Sequence, residues 1–372
     1  MLSRRNFFKT AGLGAAAAAS VSFPDLLAWA EPPRVPELGG PVLLNSNENA
    51  YGPFPSVLAI AHPFDGFNRY PDHHSDVISE RLAARHKVKL ENVVTGCGST
   101  DILRITANAF SGPGRKVVMA SPTFEAIGKY AEAVRAEVVR VPLTANFTHD
   151  LGAMLKAAGS DAGLVYICNP NNPTANLTPR ADLEDFIRKL PPKTHVLMDE
   201  AYHDFVPAGP EYASFIDRPL DDDRLIVART FSKIYGLAGM RLGYGVGAKN
   251  TIAEIRRYRS EDCLNVCVMR CALTSMDDTA AYQKSVERNA ADRDEFQRQA
   301  ATRKIKTIPS ATNFVMMPAN MPVHSAIDYF KNKNILIGRA FPPLDTYIRV
   351  SLGTLPQMQQ FWQAWDGMAK VV

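Results

Sequence analysis

Lys233 follows Thr230 by three residues and Ser232 by one, and Gly236, Gly239 and Arg241 come after it. A lysine amine attacks a carbonyl only after losing its proton, which a desolvated or cation-rich pocket favours. The two hydroxyls and the guanidinium suit a phosphate, because arginine offers a planar bidentate fork. A lysine nucleophile beside a phosphate handle is the chemistry of pyridoxal phosphate held as a Schiff base. A surface lysine next to a glycine-rich turn has the same letters, so this stretch needs support from elsewhere.

Support comes from two apolar runs upstream. His195-Val-Leu-Met-Asp-Glu-Ala-Tyr202 reads as a short buried strand that delivers Asp199, Glu200 and Tyr202 at its end. Ligands of open α/β sheets bind beyond the carboxyl ends of strands, and a carboxylate there can pair with a pyridinium nitrogen. Leu164-Val-Tyr-Ile-Cys168 is a second strand, running into Asn169-Pro-Asn-Asn-Pro-Thr174.

Asn169-Pro-Asn-Asn-Pro-Thr174, Asp199-Glu-Ala-Tyr202 and Ser232-Lys233 followed by Arg241 resemble, in order, the motifs of the fold-type I, class I/II aminotransferases. Within that family the chain is most similar to the histidinol-phosphate aminotransferase branch, from Leu44 to Leu355. The resemblance implies an α/β fold: a large domain on a mostly parallel seven-stranded-type sheet plus a small α+β domain built from both chain ends. With an export signal read separately over 1–30, the chain divides into an arm and small-domain segment (31–65), a large cofactor domain (66–270) and a C-terminal small domain (271–372).

The resemblance also assigns roles. Lys233, Asp199 and Tyr202 are the expected catalytic residues. Ser99 and Thr100, in the strand–glycine–helix stretch Asn92 to Leu103, would hold the cofactor phosphate with Thr230, Ser232 and Arg241. Free N–H groups at a helix start favour such an anion. Phe124 stands where the branch has a stacking tyrosine, which keeps the stacking and loses the phenol. Asn172 and Tyr202 would contact the ring hydroxyl, and Ala175 replaces the usual glycine after Asn-Pro-Thr. Tyr70, in Asn68-Arg-Tyr-Pro-Asp72, would reach a partner's cofactor phosphate and make the protein a homodimer. Asn47 and Asn49 are candidate substrate contacts, although turn chemistry alone explains the same residues. Arg349 matches the arginine that clamps the α-carboxylate, and Arg339 would serve the far end of the substrate.

The chain has 372 residues, 46% hydrophobic and 22% charged, with net charge +4. That is ordinary globular composition, too mild in charge to imply nucleic acid. Ser3-Arg-Arg-Asn-Phe-Phe-Lys9, an apolar run from Ala11 to Val21 and Ala28-Trp-Ala30 read as a twin-arginine export signal cut after Ala30, hence a periplasmic protein. The apolar run is shorter than the ~20 residues of a membrane span. The five cysteines have no disulfide-framework spacing. Cys263, Cys267 and Cys271 recur every four residues, so a helix over Asp262 to Met276 would align them as small apolar residues, with no metal site expected.

The expected reaction is transamination between an amino acid, or an amine such as histidinol phosphate, and a 2-oxo acid. The branch's Leu-x-Pro-Tyr segment is not found before Leu43, and an export signal sits poorly with histidine synthesis. An aromatic or specialised donor is therefore expected ahead of histidinol phosphate. A lyase, decarboxylase or racemase on the same fold is the alternative, and a binding protein retaining the scaffold the third.

Overall fold

The computed structural model describes residues 40–61, 68, 70–71, 74–207 and 209–368, with only the backbone of 74–76. The twin-arginine motif, the apolar run and Ala28-Trp-Ala30 lie outside the described residues. Strand β1 is Val42–Leu44. The central sheet follows as β2 (Val93–Gly96), β3 (Lys116–Ser121), β4 (Val138–Pro142), β5 (Ala162–Cys168), β6 (His195–Asp199), β7 (Leu225–Thr230) and β8 (Gly243–Gly247). The C-terminal part contributes β9 (Phe314–Pro318), β10 (Ile335–Ile337) and β11 (Tyr347–Ser351).

Among the described residues the large sheet has seven strands in the order β2-β8-β7-β6-β5-β3-β4. From β7 to β4 the pairs are parallel, and β8 runs antiparallel to both its neighbours. A parallel sheet is covered on both faces, so its strands must be apolar throughout. Accordingly, every residue of β5 and of β7 is buried. This arrangement puts the carboxyl ends of β3, β5, β6 and β7 along one edge, where an open α/β sheet binds its ligand.

Glycine lets one helix come close. The helix Ser99–Phe110 starts against β8, and a Cβ on Gly243 would lie 2.1 Å from the Ser99 nitrogen. A side chain at Gly243 would lift that helix start from the sheet.

The small domain pairs β9 with β11 antiparallel and β1 with β10 parallel. Its core gathers Leu44, Phe296, Phe330, Phe361, Trp362 and Trp365. The boundary expected at 270/271 shifts: Val268, Met269, Cys271 and Ala272 belong to the large core. The helix Thr279–Thr302 bridges the two cores, with Tyr282 and Val286 packed on the large one and Phe296 and Ala300 inside the small one. Phe54 and Val57, assigned above to the small-domain segment, also pack into the large core.

The helix expected over Asp262 to Met276 runs Val266–Asp277, so Cys263 precedes it and does not share its face with Cys267 and Cys271. Asn265 stops the helix from starting earlier, since its side chain caps the Val268 N–H at 2.8 Å.

Candidate active site

Lys233 lies in the loop directly after β7, on the floor of a cavity of about 680 Å³. Its Nζ donates to the carbonyl oxygens of Asn47 at 3.1 Å and Ser46 at 3.4 Å. Burial, followed by the positive charge of Arg349, lowers its pKa to about 8. A share of neutral amine therefore exists near neutral pH, which a lysine nucleophile or base requires.

Asp199 ends β6 and faces the same cavity, only 3% exposed. Burial raises its carboxyl to about 6, against the pull of the donors that stabilise its charge. Those donors are Tyr166 Oη at 2.8 Å and the Ala201 N–H at 3.1 Å. Tyr166 was not foreseen, although a tyrosine inside the apolar strand β5 was a signal: a buried phenol seeks a partner.

Behind Asp199 stands a buried ion pair that also escaped the sequence reading. Arg229, on β7, contacts Glu200 at 3.1 Å, and Glu200 accepts from Ser214 Oγ at 2.6 Å and from the Phe215 N–H at 2.8 Å. The pair links the ends of β6 and β7, one strand delivering Asp199 and the other leading to Lys233.

One wall of the cavity is a ready-made anion cup. Gly98, at φ +82°, precedes the helix Ser99–Phe110, and a Cβ there would lie 2.2 Å from Arg241 Nη2. Arg241 reaches Ser232 Oγ and Thr100 Oγ1, both at 3.3 Å, while Nη1 is anchored on the Ala238 carbonyl at 2.8 Å. Thr230 Oγ1 accepts from the Ser232 N–H at 3.1 Å. Among the described residues no carboxylate forms an ion pair with Arg241, so its charge is left for a ligand. Ser99 lines the same wall, and half-buried Phe124 lines the cavity beside Thr123.

Arg349 and Arg339 line the same cavity. Arg349 is 7% exposed; its Nη1 donates to Asn172 Oδ1 at 2.6 Å, its Nη2 to the Asn45 carbonyl at 2.6 Å, and its Nε has no partner. Burial lowers its pKa to about 10, and nearby Arg339 pushes the same way. Both guanidiniums lie over the Phe341 ring, at 4.7 Å for Arg349 and 4.3 Å for Arg339.

The structure thus gathers Lys233, Asp199, Tyr202, Asn172, Ser99, Thr100, Phe124, Thr230, Ser232, Arg241, Asn47, Arg339 and Arg349 around one cavity. Asn49 is corrected: its Nδ2 donates to the Ile234 carbonyl and its Oδ1 accepts from the Tyr51 N–H, away from this cavity. Asn47 lines the cavity, but its amide is bound to Tyr202 at 3.0 Å. Tyr70 is 76% exposed and does not line the cavity of its own chain.

A lysine of lowered pKa, a buried acid at a strand end and a cup of hydroxyls around a guanidinium with no carboxylate partner among the described residues fit pyridoxal phosphate. Together with the sheet, they define a fold-type I pyridoxal-phosphate enzyme. The chain belongs to the class I and II aminotransferases, whose family pattern matches residues 40–364. The histidinol-phosphate aminotransferase of Moorella thermoacetica is 35% identical over 326 residues, 87% of this chain and 84% of that protein. The one from Bacillus subtilis strain 168 is 33% identical over 324 residues, covering 86% and 89%. The solved histidinol-phosphate aminotransferase of Sinorhizobium meliloti, in complex with pyridoxal-5'-phosphate, is 26% identical with a TM-score of 0.81, covering 88% and 90%. The enzyme is a pyridoxal-phosphate-dependent transaminase, moving an amino group between an amine and a 2-oxo acid.

Proposed function

We propose that the amino donor carries a phosphate monoester next to its amine-bearing carbon, with histidinol phosphate the first member of that class to test. The observation that carries this is the pair Arg339 and Arg349. Among the described residues neither forms an ion pair with a carboxylate, and both lie over the Phe341 ring in the same cavity as the phosphate cup. Two adjacent guanidiniums suit a dianion, and an α-carboxylate uses Arg349 by itself when the 2-oxo acid binds. The names of the relatives point the same way. This reading sets histidinol phosphate ahead of the aromatic or specialised donor expected from the sequence.

The residues would act as follows. Ser99, Thr100, Thr230, Ser232 and Arg241 hold the cofactor phosphate, Phe124 stacks on the ring, and Asn172 and Tyr202 meet its hydroxyl. Asp199, charged above about pH 6, pairs with the ring nitrogen. Bound in this way, pyridoxal phosphate supplies an electron sink for the pair left at the substrate carbon. Lys233 Nζ would remove the proton from that carbon as general base and then give it back as general acid. Arg349 orients the carboxylate or phosphate so that the C–H bond faces Nζ.

Absorption spectra with single donors test the reading. Histidinol phosphate is expected to convert the bound cofactor to its aminated form and to release the corresponding ketone. Conversion by aromatic amino acids alone would overturn the donor assignment, and loss of carbon dioxide without conversion would favour a decarboxylase.

We propose further that two chains pair with Tyr70 completing the partner's phosphate cup, which its exposure allows. The sequence Ser3 to Ala30 supports export to the periplasm through the twin-arginine route. Replacing Arg4 and Arg5 by lysine is expected to hold the precursor in the cytoplasm; unchanged export would reject that route.

A further inference from the structure

We infer that Asn47 is a positioning residue: it aims the Tyr202 hydroxyl hydrogen into the cavity and holds Lys233 Nζ over the cavity floor. The inference rests on the reading of Lys233 and Tyr202 as the reacting lysine and its phenol neighbour.

Asn47 is 1% exposed and has φ +53°. Few residues other than glycine accept that backbone, asparagine and aspartate being the usual ones. The left-handed turn presents its carbonyl to Lys233 Nζ at 3.1 Å and to Asn313 Nδ2 at 3.1 Å. Its N–H donates to Ser351 Oγ at 2.8 Å, and Ser351 Oγ donates back to Asn47 Oδ1 at 3.2 Å. That exchange places the amide oxygen toward Ser351 and the NH2 toward Tyr202, to which it donates at 3.0 Å. A phenol has one hydrogen. With its oxygen accepting from Asn47, that hydrogen is free to point away, and among the described residues no hydrogen bond uses Tyr202 as donor. Ser351 lies two residues past Arg349 on β11, so this strap also ties the anion-binding strand to the lysine.

The charged and titratable groups facing this pair are Arg349 from β11, Glu48 from the strap, Asp199 from β6, Cys168 from β5 and Arg241. Asn47→Gly leaves them all in place. It keeps the left-handed turn and the carbonyl on Lys233, and it removes only the amide.

The test is a pH titration of the absorption band of the cofactor-loaded protein, with melting curves of the apo-protein as a check on folding. A Tyr202 hydrogen aimed at the cofactor oxygen favours the deprotonated form of the lysine-linked chromophore. Losing one oriented hydrogen bond in Asn47→Gly is expected to raise the midpoint by about half to one pH unit. Asn47→Asp, which accepts from Tyr202 and turns its hydrogen away, is expected to raise it at least as far. Midpoints unmoved in both folded variants would overturn the inference while leaving the lysine assignment intact. A parent protein without a titrating band would overturn the lysine assignment, and this inference with it.

Discussion

Asp199 and Lys233 are held in places that oppose their own charges. Asp199 has a folded pKa of about 6 against an ordinary 3.8, so the folded state binds its proton more tightly than the unfolded chain does. Its contribution to apo-protein stability is therefore greatest below pH 4 and declines as pH rises toward 6, by about 3 kcal/mol in all. Lys233 has the opposite shift, from 10.5 to about 8, so its unfavourable contribution is full below pH 8 and fades as pH climbs toward 10.5. Asp199→Asn should accordingly stabilise the apo-protein at pH 7.5 by about 1–3 kcal/mol while lowering turnover about a hundredfold or more. Denaturant melts across pH would show this; a variant less stable than the parent at pH 7.5 would reject the sign. Lys233→Ala should abolish turnover, and appreciable transamination by it would sink the mechanism.

At the scale of elements, the site depends on how closely the helix Ser99–Phe110 and the loop after β7 approach each other. Gly98→Ala sets a Cβ against the Arg241 guanidinium at a positive φ, a conflict that a flexible side chain relieves by moving. We expect the fold to survive and cofactor affinity to drop about tenfold or more, since Arg241 gives a charge-assisted bond to the phosphate. Equilibrium titration of apo-protein with pyridoxal phosphate measures this, and an unchanged affinity would remove Arg241 from the cup. The Glu200–Arg229 pair works by a different route. Arg229→Met leaves Glu200 buried without its cation and should destabilise the protein by about 3–5 kcal/mol. Urea melts would read this loss, and a change below 1 kcal/mol would mean that Ser214 and Phe215 satisfy Glu200 unaided.

At the scale of the whole molecule, one chain presents Tyr70 to solvent, away from the cavity that holds Arg241. If a second copy completes the site, the cofactor-loaded protein sediments as a dimer at micromolar concentration. Mixing Tyr70→Ala with Lys233→Ala then restores up to about a quarter of parental activity by random pairing, through mixed dimers with one intact site. A monomer with full cofactor affinity would exclude the arrangement. The cavity lies between the large core and the strands β1, β10 and β11 of the small domain, so a shift between these parts would change its volume and the reach of Arg349.

The sequence by itself carried the chemistry. Lys233, Asp199 and Arg241 were legible from residue type beside a strand end or a glycine turn, Asn172 and Arg349 only through the resemblance to the aminotransferases, and all five line one cavity. The buried strands β5 and β6 were legible for a related reason: a doubly covered parallel strand is largely apolar. The helix Thr279–Thr302 carries charge at helical spacing, yet nothing local shows that its two halves serve different cores. Tertiary structure decided the pairings across long sequence distance. Asn47 read as a substrate contact and became the partner of Tyr202 and Lys233, and Asn49 turned away to the Ile234 carbonyl. Glu200 found Arg229, and Tyr166 found Asp199. A polar residue's type declares that it needs a partner once buried, but only the packed chain determines which groups share its pocket.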